Sequence, residues 1–462
     1  MLRQLNNLCV EQFPIASIER EPDLNRTASR NLPHVEGARL SILVISSYFA
    51  PDFGGGYANR CRKTIAGLAL RGHSVRVLTS KPPAHAVPGE AAKDWGTMDS
   101  GVRVRRQSTT LERKTPLQLL AGTIANRRVV RRTIKEVRPD LILVFGIDGV
   151  GYDVYAAVLD ANIPTITSIG DTWLSQAKRN LPRFDPWARL GSGRDRRFLV
   201  RSAKSSLAMI GKTVGGISNY EPTRPTWINC ISDYLWDDLA AADGVGGQER
   251  WVVPLPLDDV YLTWGDRRLI GPGPTFNKVT TLRALFLSRM ELLKGPDVAI
   301  RALKRAIDQG AKVRLTLAGL QSQQMRDPLD DIARSLGVLD FIDWVEAPTH
   351  QDVVNLYQRH DVFLFPSRIV EGMGGVNAEA MACGLPVLGT TKYGTAQIIK
   401  HGSNGFSHEP GDHLTLGNQL AKLADDRSLV AEFSARALST AMLHHPDRVI
   451  DAWEQGITQR MS

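Results

Sequence analysis

The chain has 462 residues, of which 43% are hydrophobic and 23% charged, and its formal net charge is +9. This length predicts two or three domains, and the composition excludes a disordered or disulfide-rich chain. The four cysteines lie far apart without the spacing of a zinc or redox motif, which favours a reducing, cytoplasmic compartment.

The basic excess is unevenly distributed. Residues 1–38 lack the apolar run of a signal peptide and are interpreted as a polar extension, and no stretch approaches the roughly 20 apolar residues of a membrane span. Two basic clusters, at 127–138 and 194–204, fit either solvated helix faces or a patch that meets an anionic membrane. The tryptophans form no aromatic-plus-basic ladder, so nucleic acid is not an expected partner.

From residue 40 the first half alternates strands and helices. The apolar run at 40–45 predicts a buried parallel strand, and apolar residues repeat at helical spacing over 58–68. Further strands are predicted at 74–79, 141–146, 165–169, 229–232 and 250–256, and helices up to Val137, over 151–161 and over 196–210. This order predicts parallel βαβ units.

The second half repeats the pattern after a Gly- and Pro-rich linker at 263–278. Strands are predicted at 282–288, 313–319, 341–345, 362–366 and 386–389, helices at 297–310, 329–336, 351–359 and 377–384, and mainly helix from there to 462. We therefore predict an α/β protein of two doubly wound, Rossmann-like domains, 39–262 and 279–445, with a final helix at 446–462 that packs back on the first domain.

Segment 366–389, PSRIVEGMGGVNAEAMACGLPVLG, places a carboxylate on each side of a glycine-rich turn, Glu371 before it and Glu379 after it. Such a turn lets a ligand approach the backbone, and the amides of the helix N-terminus that follows attract an anion. Carboxylates accept hydrogen bonds from the hydroxyl groups of sugars and ribose. Alternatively, Glu379 is an exposed helix residue.

Segment 288–295, SRMELLKG, places Arg289 and Lys294 just after a predicted strand. The carboxyl edge of an open α/β sheet is where ligands bind. Two cations at this edge are suited to neutralise a diphosphate and to stabilise the charge on a departing phosphate.

These two segments together resemble family 4 of the retaining glycosyltransferases, and the resemblance extends over about residues 40–450. SYFAPDFGGG (47–56) is similar to the family's Pro-x-x-Gly-Gly loop, CISDY (230–234) to its Val-Ser-x-Tyr stretch, and DVFLFPS (361–367) to its Ala-Asp-x-x-x-x-Pro-Ser. The resemblance implies the GT-B fold, two Rossmann-like domains that face each other across a cleft. It also implies transfer of a sugar from a nucleotide diphosphate donor.

The resemblance further implies a role for each matching residue. Arg289 and Lys294 would hold the diphosphate, Glu371 and the amides of Met373, Gly374 and Gly375 the sugar, Glu379 the ribose, and Gly54 and Gly55 would close over the phosphates from the opposite domain. Family members need no metal or cofactor beyond the nucleotide sugar, and no Asp-x-Asp motif accompanies these loops.

The chain departs from the family pattern at two places. Gly170-Asp171 stands where many members have His-Asp, and that histidine contributes near the reacting sugar. Gly170 has no side chain, so we expect Asp171 or Trp173 to take over part of the positioning. VPLPLDD (253–259) replaces the usual Pro-Asn-Gly before the linker, which affects the acceptor side or the hinge.

The sequence thus predicts a retaining glycosyltransferase whose acceptor is lipid-linked or a polysaccharide or glycoconjugate precursor. No side chain offers itself as a covalent nucleophile, which favours a front-face mechanism assisted by the leaving phosphate. Two alternatives stay open: a nucleotide-sugar epimerase with two similar domains, and a non-catalytic relative, which the missing histidine makes conceivable.

Overall fold

A computed structural model describes residues 39–46, 49, 56–80, 103–107, 116–147, 152–179, 226–242, 244–263, 281–319, 323–346 and 348–462. Several sequence predictions lie outside the described residues: the extension 1–38, the loop with Gly54 and Gly55, the helix 196–210, the second basic cluster 194–204, and all of the linker except Thr263.

The first half contains a six-stranded parallel sheet. Its strands are β1 (Ser41–Ser46), β2 (Ser74–Ser80), β3 (Arg103–Gln107), β4 (Leu141–Phe145), β5 (Thr165–Ile169) and β6 (Thr226–Cys230), in the order β3-β2-β1-β4-β5-β6. Ile42 in the central strand is fully buried and pairs with Val75 on one side and Leu141 on the other. Continuous apolar strands of this kind suit a parallel sheet that is covered on both faces.

The second half contains another six-stranded parallel sheet. Its strands are β7 (Leu282–Leu287), β8 (Val313–Gly319), β9 (Ile342–Glu346), β10 (Val362–Phe365), β11 (Val387–Thr390) and β12 (Gly405–His408), in the order β12-β11-β10-β7-β8-β9. In both sheets the chain starts in the middle and adds strands on both sides, which creates a crevice at the carboxyl edge. The predicted pair of doubly wound domains is confirmed.

The described residues form thirteen α-helices, of which the last three follow β12. They are α1 (Gly56–Leu70), α2 (Pro116–Val137), α3 (Tyr152–Leu159), α4 (Trp173–Arg179), α5 (Asp233–Ala240), α6 (Pro296–Asp308), α7 (Gln323–Ser335), α8 (His350–Arg359), α9 (Gly375–Ala382), α10 (Thr395–Ile398), α11 (His413–Asp425), α12 (Arg427–Ala441) and α13 (Pro446–Met461). Start signals in the sequence explain several boundaries. For example, Thr349 and Asp352 form a reciprocal capping box at the start of α8.

One predicted strand does not form, and two strands of the structure were not predicted. Residues 250–256 form only an isolated bridge, Val252 with Cys230, because Pro254 and Pro256 have no N–H to donate to a ladder. β3 was not predicted because its run RVRRQ is too basic to resemble a buried strand. β12 was not predicted because it is a four-residue edge strand inside a segment predicted to be mainly helical.

The chain crosses at several points between the hydrophobic cores of the first half and of the second half. Leu257 and Tyr261 pack in a core of the second half, although the predicted first domain extends to residue 262, and Met373 packs in the core of the first half. The final helix α13 also packs on the first half. There the fully buried Trp453 lies with its ring centroid 5.3 Å from that of Trp251 and 5.8 Å from that of Phe145.

We expect Trp453→Ala to lower the free energy of unfolding by about 3–5 kcal/mol, because it removes a large side chain from a core that cannot fully collapse. Denaturant unfolding measures this change, and Gln455→Ala, at an exposed position of the same helix, is the control. Equal stability of the two variants would show that α13 contributes little to the first core.

Candidate functional site

Both sequence motifs begin where two neighbouring strands end, at the same edge of the second sheet. Residues 288–295 follow β7 and residues 366–389 follow β10, and these two strands pair in parallel. Gly295 has a φ of +83°, and a Cβ at this position would lie 2.3 Å from the carbonyl oxygen of Pro366. Only glycine allows this approach, so the turn after β7 packs backbone to backbone on the turn after β10.

Lys294 and Glu371 form an ion pair across these two turns. The Lys294 Nζ lies 2.5 Å from Glu371 Oε1, and both side chains are largely buried, at 14% and 16% exposure. The Ser367 hydroxyl donates a second hydrogen bond to the same oxygen, over 3.1 Å. The structure therefore brings together a predicted diphosphate cation and the predicted sugar-binding carboxylate.

Arg289 occupies a different environment from Lys294. Its side chain is 66% exposed, and its Nη1 lies 2.7 Å from Glu291 Oε1. A surface pair of this kind contributes little to stability, so the guanidinium can exchange Glu291 for an incoming anion at small cost. Arg289 is thus exposed to solvent, whereas Lys294 is held within the site.

Arg368 and Asp297 hold the two turns together, although neither residue was predicted from the sequence. The Arg368 guanidinium donates two hydrogen bonds to the Asp297 carboxylate, over 2.8 and 2.6 Å. The guanidinium also donates to the carbonyl oxygen of Leu292 over 2.6 Å. The backbone N–H of Arg368 donates to the carbonyl oxygen of Leu293 over 2.8 Å. The bidentate pair is specific in geometry, but the sequence shows only an Arg and an Asp 71 residues apart.

Helix α9 begins directly at the glycine-rich turn. Gly374 is its N-cap, and no side chain caps the helix, so the first-turn amides carry the positive end of the helix dipole. Asn377 in this turn was likewise not predicted as a site residue. It is fully buried, and neither polar atom of its carboxamide has a hydrogen-bond partner among the described residues. Buried amides normally have such partners, which sets Asn377 apart from an ordinary core residue.

Glu379 lies on α9 in a desolvated position and is only partly exposed, which differs from the alternative of an exposed helix residue. The Tyr357 hydroxyl donates a hydrogen bond to its Oε2 over 3.3 Å. Burial raises the pKa of Glu379 to about 7, while the Lys63 ammonium lowers this pKa and the Asp258 carboxylate raises it. The carboxyl group therefore titrates near neutral pH.

The first half meets the Glu371 turn at the ends of β5 and β6. A Cβ on Gly372 would lie 2.4 Å from the carbonyl oxygen of Gly170, and about 3 Å from the side chains of Ile231 and Leu235. The two halves thus touch at the position where the family pattern has a histidine. Rings of Tyr234 and Tyr393 also meet edge to face, with centroids 5.5 Å apart.

Asp171 and Trp173, the two expected replacements for the histidine, differ in position. Asp171 follows Gly170 and is partly exposed, and its Oδ1 accepts a hydrogen bond from the backbone N–H of Trp173 over 2.8 Å. Trp173 is 3% exposed and packs edge-on against Tyr155 in the first core. Its ring faces the core, and the expectation that Trp173 takes over part of the positioning stays a prediction.

The first basic cluster lies on α2 and just beyond it. Five of its six cations are exposed: Arg128, Arg131, Arg132, Lys135 and Arg138. Arg127 pairs with Asp160, and Arg132 pairs with Glu136 one turn away. Within the described residues, no helix is long and apolar enough to cross a bilayer, and no three His, Cys, Asp or Glu side chains form a group that could hold a metal ion.

Sequence profiles of two families match the chain. The family described as glycosyl transferases group 1 matches residues 275–440, and the glycosyl transferase 4-like domain matches residues 55–210. Together the two matches cover more than half of the chain, and the first includes both motifs of the site. The chain belongs to the group 1, family 4 type of GT-B glycosyltransferases.

Among relatives, the chain is 31% identical over 180 residues to the D-inositol 3-phosphate glycosyltransferase of Nocardiopsis dassonvillei, a match that covers 37% of this chain and 42% of the relative. The chain thus matches less than half of that relative's length. Two solved structures share the fold. The Anabaena HepE protein in complex with UDP and glucose has a TM-score of 0.60 at 19% identity, over 91% of this chain and 100% of that one. Sucrose-phosphate synthase of Thermosynechococcus elongatus has a TM-score of 0.63 at 18% identity, over 91% and 98%.

We expect Gly372→Ala to lower turnover at least about tenfold while the protein stays folded. The new methyl group would overlap a backbone carbonyl of the other half, which no side-chain rotation can relieve, so the two halves must separate locally. Steady-state kinetics and thermal unfolding, measured on the same preparation, check this. Wild-type turnover would mean that the contact at Gly170 is absent from the active form.

Proposed function

We propose that the protein is a retaining glycosyltransferase that moves a sugar from a nucleotide diphosphate donor to a hydroxyl group of an acceptor. The observation that carries the proposal is the Lys294–Glu371 ion pair beside the start of α9. A diphosphate needs fixed cations, and a sugar needs a carboxylate that accepts from its hydroxyls. Here both groups lie within one hydrogen bond of each other at a ligand-binding sheet edge.

The donor would bind with its diphosphate between the cations and α9. Lys294 and the exposed Arg289 would neutralise the phosphates, and the backbone amides of Met373, Gly374 and Gly375 at the start of α9 would donate hydrogen bonds to oxygens of the sugar. Glu371 would accept hydrogen bonds from sugar hydroxyls, with Lys294 shared between this carboxylate and the phosphate. Glu379 would accept hydrogen bonds from the ribose hydroxyls.

The transfer step exchanges one carbon–oxygen bond for another and moves one proton. The acceptor oxygen bonds to the anomeric carbon as the bond from that carbon to the diphosphate oxygen breaks on the same face, and the acceptor proton passes to an oxygen of the leaving diphosphate. Arg289 and Lys294 stabilise the negative charge that grows on that leaving group. Attack and departure on the same face retain the anomeric configuration.

The first half supplies the acceptor side of the proposed site. Gly54 and Gly55 would close over the phosphates, and Asp171 lies next to the contact between Gly170 and Gly372. Closure of the two halves excludes water, which would otherwise hydrolyse the donor. The name of the glycosyltransferase relative and the UDP and glucose bound by the Anabaena protein support transfer from a nucleotide sugar donor.

We also propose a cytoplasmic enzyme that attaches peripherally to the anionic membrane face, with an acceptor that is lipid-linked or a glycoconjugate precursor. The exposed cations of α2 support this location, since each Lys or Arg near such a surface contributes roughly 1 kcal/mol.

A panel of nucleotide sugars identifies the donor, because a ligand that binds only the folded state raises the melting temperature by mass action. With that donor we expect Lys294→Ala and Arg289→Ala to lower turnover well over tenfold, since each loses a charge-assisted contact of about 1.5–3 kcal/mol. Arg334→Ala, which removes an exposed ion pair far along the chain from both motifs, is the control. Donor turnover at the wild-type rate in both site variants would remove these residues from the site.

We expect transfer to continue in excess EDTA, because Arg289, Lys294 and the start of α9 would supply the positive charge that the leaving diphosphate requires. Initial rates with and without the chelator measure this. Loss of transfer that Mg²⁺ or Mn²⁺ restores would contradict the proposed mechanism.

A further inference from the structure

A cluster of ionisable side chains joins the two halves at α9. We call Lys63, Asp258, Tyr261, Tyr357 and Glu379 the interdomain cluster. The Lys63 Nζ lies 2.9 Å from Asp258 Oδ2, and the Tyr357 hydroxyl lies 3.3 Å from Glu379 Oε2. The rings of Tyr261 and Tyr357 meet edge to face, with centroids 6.0 Å apart.

The members of this cluster come from different parts of the fold. Lys63 is on α1 of the first half, whereas Tyr357 on α8 and Glu379 on α9 belong to the second half. Asp258 follows Leu257, whose side chain packs in a core of the second half. The Lys63–Asp258 pair is therefore a link between the halves, and the Lys63 side chain is only 11% exposed.

The charges around Glu379 are few and have opposing effects. Lys63 favours its ionised form, and the Tyr357 hydroxyl assists by a hydrogen bond, whereas burial and Asp258 raise the pKa of this carboxyl group to about 7. Tyr261 and Tyr357 have raised pKa values and stay neutral, and Cys383 is buried near both tyrosines. The Arg62 Nη2 lies 3.8 Å from Asp258 Oδ1. The cation with the largest effect on Glu379 thus comes from the opposite half.

We infer that Lys63 is a positioning residue, which holds Glu379 ionised from the first half so that this carboxylate accepts hydrogen bonds from the donor's ribose hydroxyls. The inference rests on the proposed function. A protonated carboxyl group has lost part of its acceptor capacity, so nucleotide binding weakens as the pH falls through the pKa of Glu379. Because Lys63 lies on the first half, contact between the halves strengthens ribose binding in the second.

Binding of UDP, with GDP and ADP in parallel, is measured by titration calorimetry between about pH 5.5 and 8.5. For the wild type we expect affinity to fall below a midpoint near pH 7. Lys63→Met removes the cation and should move the midpoint upward by about one pH unit, which weakens binding several-fold at pH 7. Lys63→Arg keeps the charge and should keep the wild-type midpoint.

Asp258→Asn should shift the pH midpoint of nucleotide binding in the opposite direction from Lys63→Met. It removes the carboxylate that disfavours ionisation of Glu379, so its midpoint should move downward. A 2′,3′-dideoxy nucleoside diphosphate controls for ionisation of the phosphates, and its affinity should be the same in wild type and Lys63→Met. Circular dichroism verifies that each variant is folded.

The outcomes separate the two proposals. If the wild type binds none of the three nucleotides, the proposed function fails and this inference fails with it. If the wild type binds one of them but Lys63→Met has the same pH profile, the role of Lys63 is wrong while the proposed function stands. Equal losses for the ribose and dideoxy nucleotides would likewise assign Lys63 a structural role.

Discussion

The ion pair between Lys294 and Glu371 is the interaction on which the candidate site depends. Each charge is largely removed from water, and breaking such a pair leaves an uncompensated charge that costs several kcal/mol. The pair therefore holds the turns after β7 and β10 in one arrangement. Because the same two groups are the ones that a phosphate and a sugar would engage, the site is preorganised before a donor arrives.

The backbone supports this arrangement at two points. Gly295 lies against the carbonyl of Pro366, and Gly372 lies against that of Gly170, so the Glu371 turn is confined by its own half and by the other half. Arg368 strengthens the first contact through the carboxylate of Asp297. A loop held from both sides keeps its geometry within the narrow limits that transfer chemistry requires.

The two halves also contact each other through elements that lie far from this turn in the sequence. The chain crosses from the first core to the second near Leu257 and returns through α13, whose Trp453 belongs to the first core. Lys63 and Asp258 lie beside the first crossing. Relative movement of the halves would therefore alter the charge next to Glu379 as well as the backbone contact at Gly372, which links the ribose end and the sugar end of the proposed site.

Local patterns in the sequence were sufficient for the two parallel sheets, for most helices and for the two motifs. Buried strands such as 141–145 are apolar throughout, and glycine-rich turns mark the sites where they end. β3 and β12 were not predicted because a basic or very short edge strand has no distinctive sequence pattern. The strand prediction for residues 250–256 was wrong, because their apolar residues indicate a strand but two prolines prevent it.

By itself, the sequence determined the family, the fold class and the residues suited to a diphosphate and a sugar, because these depend on residue types at short spacings. Only the tertiary structure decided which residues meet. The pairing of Lys294 with Glu371, the Arg368–Asp297 clamp and the pairing of Lys63 with Asp258 each join residues more than 70 positions apart. Such contacts depend on strand order and on the packing of one half against the other, which no short window of sequence contains.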